Sequence, residues 1–185
     1  MDPNSRPIVL SLMAVLGFAV AALVASLFIP FDVDASATIQ SITGEIELHS
    51  PGQTSARANE QGTLNIGQSL RVPPGGEARI VFDLNQGRAV LTGPANLTLV
   101  ESYRRATALG HALDRFKREY VLTLEQTQGS VQYIFANAEP SFEETKITIR
   151  LPDRNYTPTT PCWRIDISPD GETAIDPFDC AQFSD

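Results

Sequence analysis

Between Gly62 and Val100 the chain alternates apolar and polar positions with a period of two. The apolar positions are Leu64, Ile66, Leu70, Val72, Ala78, Ile80, Phe82, Val90, Leu97 and Leu99. Gly62, Gly67, the Pro73-Pro74-Gly75-Gly76 cluster, Asn85-Gln86-Gly87 and Gly93-Pro94 punctuate them. A strand turns successive side chains to opposite faces, so this grammar predicts short antiparallel strands with one face buried. The same alternation precedes it at Ile39, Ile42, Ile46 and Leu48, read as a first strand pair around Gly44. It returns after residue 120 at Leu122 and Leu124, with a turn expected at Gln126-Thr127-Gln128-Gly129. Val131, Tyr133 and Phe135 follow, then Ile147, Ile149 and Leu151, then Cys162 to Ile167 and a turn at Pro169-Asp170-Gly171-Glu172.

Two stretches break the period. From Ile8 to Ile29 no charged residue occurs over 22 positions. As a helix this run is about 33 Å long, enough for a hydrocarbon core of about 30 Å. Arg6 precedes it and Asp32 and Asp34 follow, which predicts a cytoplasmic N-terminus and an exported remainder. A cleaved signal peptide is the competing reading, with Ala35-Ser36-Ala37 as its small-x-small site. The length of the run favours the retained anchor, since signal cores usually run about 7–15 residues. The second stretch, about 102–120, places Leu109, Leu113, Phe116 and Tyr120 at helical spacing. Its other face would carry Arg104, Arg105, Arg115, Lys117 and Arg118, a basic surface suited to an acidic partner or to lipid headgroups.

The expected organisation is therefore a stub at 1–7, a transmembrane helix at 8–29, a polar tether at 30–37 and an exported domain at 38–185. The fold class is mainly β: an antiparallel β-sandwich or roll with one inserted amphipathic helix.

Charge narrows the partners. With 14 basic and 22 acidic residues in 185, the net charge is −8. That disfavours nucleic acid, whose binding depends on neutralised phosphates. The bilayer, through residues 8–29, and another envelope or membrane protein are the expected partners. Cys162 and Cys180 form the only cysteine pair, and an oxidising compartment would join them. In the chain-entropy picture a loop of that length stabilises by about 3 kcal/mol.

Catalytic chemistry is harder to find. His49 and His111 have no metal-ligand spacing to another His or Cys, and no nucleophile motif accompanies them. Asp166, Asp170 and Glu172 around Gly171 lack the twelve-residue calcium-loop pattern. No cofactor, metal or catalytic residue is assigned, and the protein is expected not to be an enzyme.

The spacing of the turn glycines adds a resemblance. Gly44-Glu45-Ile46-Glu47-Leu48, the G-x-L-x-x-G-x-x-L unit from Gly62 to Leu70, the segment from Gly75 to Gly87 and the unit from Leu124 to Val131 resemble the FecR-type domain. The resemblance covers roughly residues 38–175 and implies an exported β domain in a bacterial envelope. FecR-type transducers also resemble one another in a cytoplasmic segment that binds a sigma factor. Seven residues before the apolar run leave no room for one, so that regulation is not expected.

Overall fold

The computed structural model describes residues 5–107, 119–136 and 144–183. They contain one α-helix, α1 (Ser5–Ser26), and thirteen strands linked in a mainly antiparallel sheet system. The chain divides into two compact units. One holds the residues up to Asp32 and the end of the eighth strand from Arg105; the other runs from Val33 to Arg104 and resumes at Glu119.

In the first unit, α1 leads into β1 (Pro30–Asp34). Among the described residues no helix is long and apolar enough to cross a membrane; the side chains described in α1 begin at Val15. From Val15 to Ser26 every one of them is exposed, Phe18 at 78% and Leu23 at 68%. Residues 30–34, expected as a tether, are a strand that pairs with β8.

Two long strands organise the second unit. β8 (Arg88–Thr107) pairs through residues 88–92 with β7 (Glu77–Phe82), and through 95–98 with β6 (Ser69–Val72). β9 (Glu119–Ile134) lies beside β8 and also changes partner. Its first half pairs with β10 (Thr145–Arg150), and its second half with β12 (Cys162–Ile167). The shorter strands extend these four groups. β2 (Ala37–Thr43) and β5 (Thr63–Leu64) lie beyond β7, while β3 (Glu47–His49) and β4 (Ala56–Arg57) lie beyond β6. β11 (Asn155–Tyr156) pairs with β10, and β13 (Thr173–Pro177) with β12.

The switch points of the two long strands meet. β8 changes partner at Gly93-Pro94, whose peptide is cis. β9 changes partner at Gly129, which has φ +82°. A Cβ on Gly129 would collide with the Pro94 carbonyl oxygen and the Ala95 backbone, and one on Gly93 with the Pro73 carbonyl. Only glycine lets the backbones approach so closely. Gln126, fully buried, secures the bend. Its amide nitrogen donates to the Gly129 carbonyl at 2.8 Å and the Ile165 carbonyl at 3.0 Å, and its oxygen accepts from the Tyr133 hydroxyl at 3.0 Å.

Around this junction the expected alternation produces one core. Leu70, Val72, Ala78, Ile80, Phe82, Leu97, Leu99, Leu122, Leu124, Val131, Ile147, Ile149 and Ile165 are buried in it together. Phe82, Phe135, Trp163 and Tyr133 stack in series, with centroid distances of 5.8, 5.4 and 5.3 Å. Burial pushes the Tyr133 hydroxyl far above its ordinary pKa, so it stays protonated and keeps its bond to Gln126. Ile66 departs from the pattern. β5 ends at Leu64, and Ile66 falls in a turn in which Gln68 N donates to Asn65 O, leaving its side chain 38% exposed.

Several expectations are corrected. The helix expected at about 102–120 is strand at both described ends, 102–107 in β8 and 119–120 in β9; residues 108–118, with Leu109, Leu113 and Phe116, lie outside the described residues. Strand partners override the helical spacing: Tyr120 takes the place opposite Thr145 of β10, and the Ser102 carbonyl accepts from Ala35 N at 2.7 Å. Gln126 to Gly129 is not a turn but the bend of a continuous strand. The sheet is not wholly antiparallel, since β10 runs parallel to β9. The strands around Gly44 do not pair with each other; β2 joins β7 and β3 joins β6.

Two substitutions test the junction. Gly129→Ala places a side chain at positive φ, at a cost of roughly 1–2 kcal/mol, and against backbone, which adds about 1–3 kcal/mol. A loss of about 3 kcal/mol is expected, read as a melting temperature lower by roughly 10 °C. Gln126→Leu removes the acceptor of the Tyr133 hydroxyl and a donor from two carbonyls. It should cost about 3 kcal/mol, and more than Tyr133→Phe, because each unsatisfied buried group costs roughly 1–3 kcal/mol. Denaturant unfolding of the variants measures both.

Candidate functional site

The bend opens a cleft in the second unit. Because β8 and β9 turn away from their first partners at the same level, a cavity of about 580 Å³ is left between the switch points and the β12–β13 hairpin. Thr92, Gln128, Ser130, Asp166, Glu172 and Thr173 line it, with the Gly93-Pro94 backbone at its base. The hairpin wall is held by its own turn. Gly171 N donates to the Ser168 carbonyl at 3.0 Å, and Ser168 N to the Glu172 carbonyl at 2.9 Å. Glu172 N also donates to Ser168 Oγ at 3.1 Å.

This lining suits recognition. Hydroxyls and an amide offer hydrogen bonds of either sense, while Asp166 and Glu172 favour a neutral or cationic polar group. Asp170, grouped with them in the sequence, does not line the cleft. Among the described residues no group of three or more His, Cys, Asp or Glu is placed to hold a metal. His49 lies at the surface with its Nε2 3.1 Å from Glu47 Oε2, and His111 lies outside the described residues.

Cys162 and Cys180 are joined, with Cα atoms 5.6 Å apart. The bond ties the start of β12 to the terminal 3-10 turn Cys180–Phe183. The basic surface is distributed differently from its expected helical face. Arg104 and Arg105 are on strand β8, and successive strand residues point to opposite sides. Within the first unit, Arg105 holds Asp32 in a two-point pair, Nε to Oδ1 at 2.8 Å and Nη2 to Oδ2 at 3.1 Å. Arg115, Lys117 and Arg118 lie outside the described residues.

The cleft itself escaped sequence reasoning. Its residues were visible as turn and strand-end polar positions, but nothing in their spacing announces that 92–94, 128–130 and 166–174 converge. Gly129 was the one signal, read as a turn residue.

No family model, no curated protein and no solved structure matches the chain.

The Asp32–Arg105 pair has a measurable consequence. The hydrogen bond from Arg105, reinforced by its charge, holds the Asp32 carboxyl below the usual carboxylate range. A depressed folded-state pKa means the pair contributes above the ordinary carboxylate titration and is lost as pH falls through the lowered value. The Asp32 side-chain carbon should titrate by NMR at a pH below that of a free aspartate. In Arg105→Gln the midpoint should move back up.

Proposed function

We propose that this chain is a single-pass membrane protein whose β domain, of the FecR-like kind, lies outside the cytoplasmic membrane and serves as an interaction or ligand-sensing module. The observation that carries this reading is the exposure of α1. A helix that is apolar all round needs an apolar surrounding, and from Val15 to Ser26 every described side chain is exposed. The uncharged run continues to Ile29, and the first acidic residue after it is Asp32. The Cys162–Cys180 disulfide supports export, because such bonds persist in oxidising compartments.

Recognition in place of catalysis is supported by the cleft, whose hydroxyls, amide and carboxylates stand among the apolar surfaces of Pro94, Ile167, Pro169 and Ala174 at the strand junction. A second reading, an accessory subunit of a larger membrane complex, is favoured by β13. Among the described residues that strand, Thr173–Pro177, pairs with β12 alone, which leaves its other edge without a strand partner there. Exposed strand edges are surfaces to which another chain can add a strand.

Extraction and topology test the leading reading. The full chain should resist release from membranes by alkaline carbonate, and protease should reach the β domain in spheroplasts but not in sealed inverted vesicles. Release by carbonate, or digestion only in inverted vesicles, would sink it. Co-purification of a fixed partner in mild detergent would select the subunit reading over the stand-alone module.

A further inference from the structure

A second cavity opens where the chain enters the β domain. It measures about 380 Å³ and is walled by Val33, Asp34, Asp83, Leu84, Arg104 and Tyr120, all of the second unit. The size falls within the usual range for small-ligand sites, roughly 300–1,000 Å³.

Its charges are separated. Arg104 is partly buried, and its Nε is covered and has no hydrogen-bond partner. Among the described residues no carboxylate makes an ion pair with it. Asp83 accepts from the hydroxyls of Ser36 at 2.5 Å and Thr38 at 2.9 Å, which orient its carboxylate without neutralising it. Asp34 lines the same cavity, and among the described residues no cation pairs with it. The cavity thus presents one guanidinium and two carboxylates that do not satisfy one another, beside the apolar side chains of Val33 and Leu84 and the Tyr120 ring. Such an arrangement favours a ligand that carries both signs. A purely anionic ligand would meet two acids with one base, and a purely cationic one would leave the guanidinium unsatisfied.

The position in the chain selects the source. Val33, at the cavity wall, lies four positions beyond Ile29, the last of the uncharged run. Extended, those four steps span at most about 14 Å, while the polar layer on each side of a bilayer is roughly 5–8 Å deep. A cavity tethered this closely to a membrane-spanning segment lies within reach of the headgroups.

We propose that the cavity binds the headgroup of an aminophospholipid in the leaflet from which the anchor emerges. Arg104 takes the phosphate, and Asp34 and Asp83 take the primary ammonium, with the short ethyl link against the apolar wall. A guanidinium matches phosphate geometry well, and a primary ammonium can donate hydrogen bonds to both carboxylates where a trimethylated one cannot. The proposal rests on the membrane-anchored reading.

The test is a titration of the full chain in an uncharged detergent with dihexanoyl phosphatidylethanolamine, phosphatidylglycerol and phosphatidylcholine, followed by calorimetry. Phosphatidylethanolamine should bind at least about tenfold more tightly than either other lipid, a ratio set by one charge-assisted contact. Arg104→Gln should lower its affinity about tenfold, and Asp34→Asn should narrow its advantage over phosphatidylglycerol. Among the described residues Arg104 has no hydrogen-bond or ion-pair partner to lose, so Arg104→Gln should melt with the wild type, and Asp34→Asn gives an independent readout. Equal or tighter binding of phosphatidylglycerol, or an unchanged affinity in Arg104→Gln, would overturn the assignment. Free phosphoethanolamine binding as tightly as the lipid would also overturn it, in favour of a soluble zwitterion. Because the short-chain lipids are presented in solution, a chain that carbonate releases can still be titrated, so failure of the anchor and failure of the cavity are separate results.

Discussion

The β domain depends on one close contact: the backbone of Gly129 lies against the Pro94 carbonyl and Ala95, with no room for a side chain between them. Because β8 and β9 are pressed together there, both must bend at the same level, and each has a different partner on either side of the bend. Four groups of short strands are organised by that one junction. Few of them could persist alone, since β4, β5 and β11 are two residues each and isolated two-stranded pairs are marginal in water. Their stability comes from the long strands they flank. The Gln126 amide fixes the geometry by using both of its donors and its acceptor on groups from β9 and β12. A buried network satisfied in this way specifies one arrangement, whereas a partly satisfied one would be costly.

The aromatic column carries that specification into the core. Trp163 of β12 stacks between Tyr133 of β9 and Phe135, the residue just after that strand, and Phe135 stacks in turn on Phe82 of β7. The column therefore spans strands that do not pair with one another, β7 with β9 and β12. Its polar end is the Tyr133 hydroxyl, which returns to Gln126. Packing and hydrogen bonding thus converge on the same turn of chain, and the recognition cleft opens on the outside of that region. A rigid floor suits such a cleft, because groups held by the scaffold need less ordering when a partner arrives.

Period-two alternation made the core legible from sequence: Leu70, Val72, Ala78, Ile80, Phe82, Leu97 and Leu99 are all inside. The disulfide was legible too, from there being one pair of cysteines in a chain expected to be exported. Strand length and partnership were not. A glycine in a strand pattern marks either a turn or a place where another backbone comes close, and sequence alone does not separate the two. Gly93 and Gly129 were read as the first and are the second. At its described ends, 102–107 and 119–120, the helical expectation gave way to strand for a related reason, since side-chain period reports one face and is silent on whether a neighbouring strand stands ready to pair. Neither cavity was legible, because each gathers residues far apart in the chain. Asp34, Asp83, Arg104 and Tyr120 become neighbours only through the pairing of their strands.

The two arginines at the end of β8 bring out the chemistry of the region next to the apolar segment. As neighbours in a strand they point to opposite sides, and their charges are handled in opposite ways. Arg105 is matched by Asp32 through two nitrogen–oxygen contacts, so little of its charge remains to attract a partner. Arg104 has its Nε covered and unmatched in a cavity that also contains Asp34 and Asp83. A long-range attraction to an acidic surface would need free cations, and in a chain of net charge −8 one of these two, Arg105, is already committed to Asp32. On the proposed reading, recognition at this end works at short range, through a ligand that enters the cavity and meets both signs. Such selectivity comes from the placement of paired charges and survives salt better than attraction between exposed surfaces, which is screened within about 8–10 Å at ordinary ionic strength.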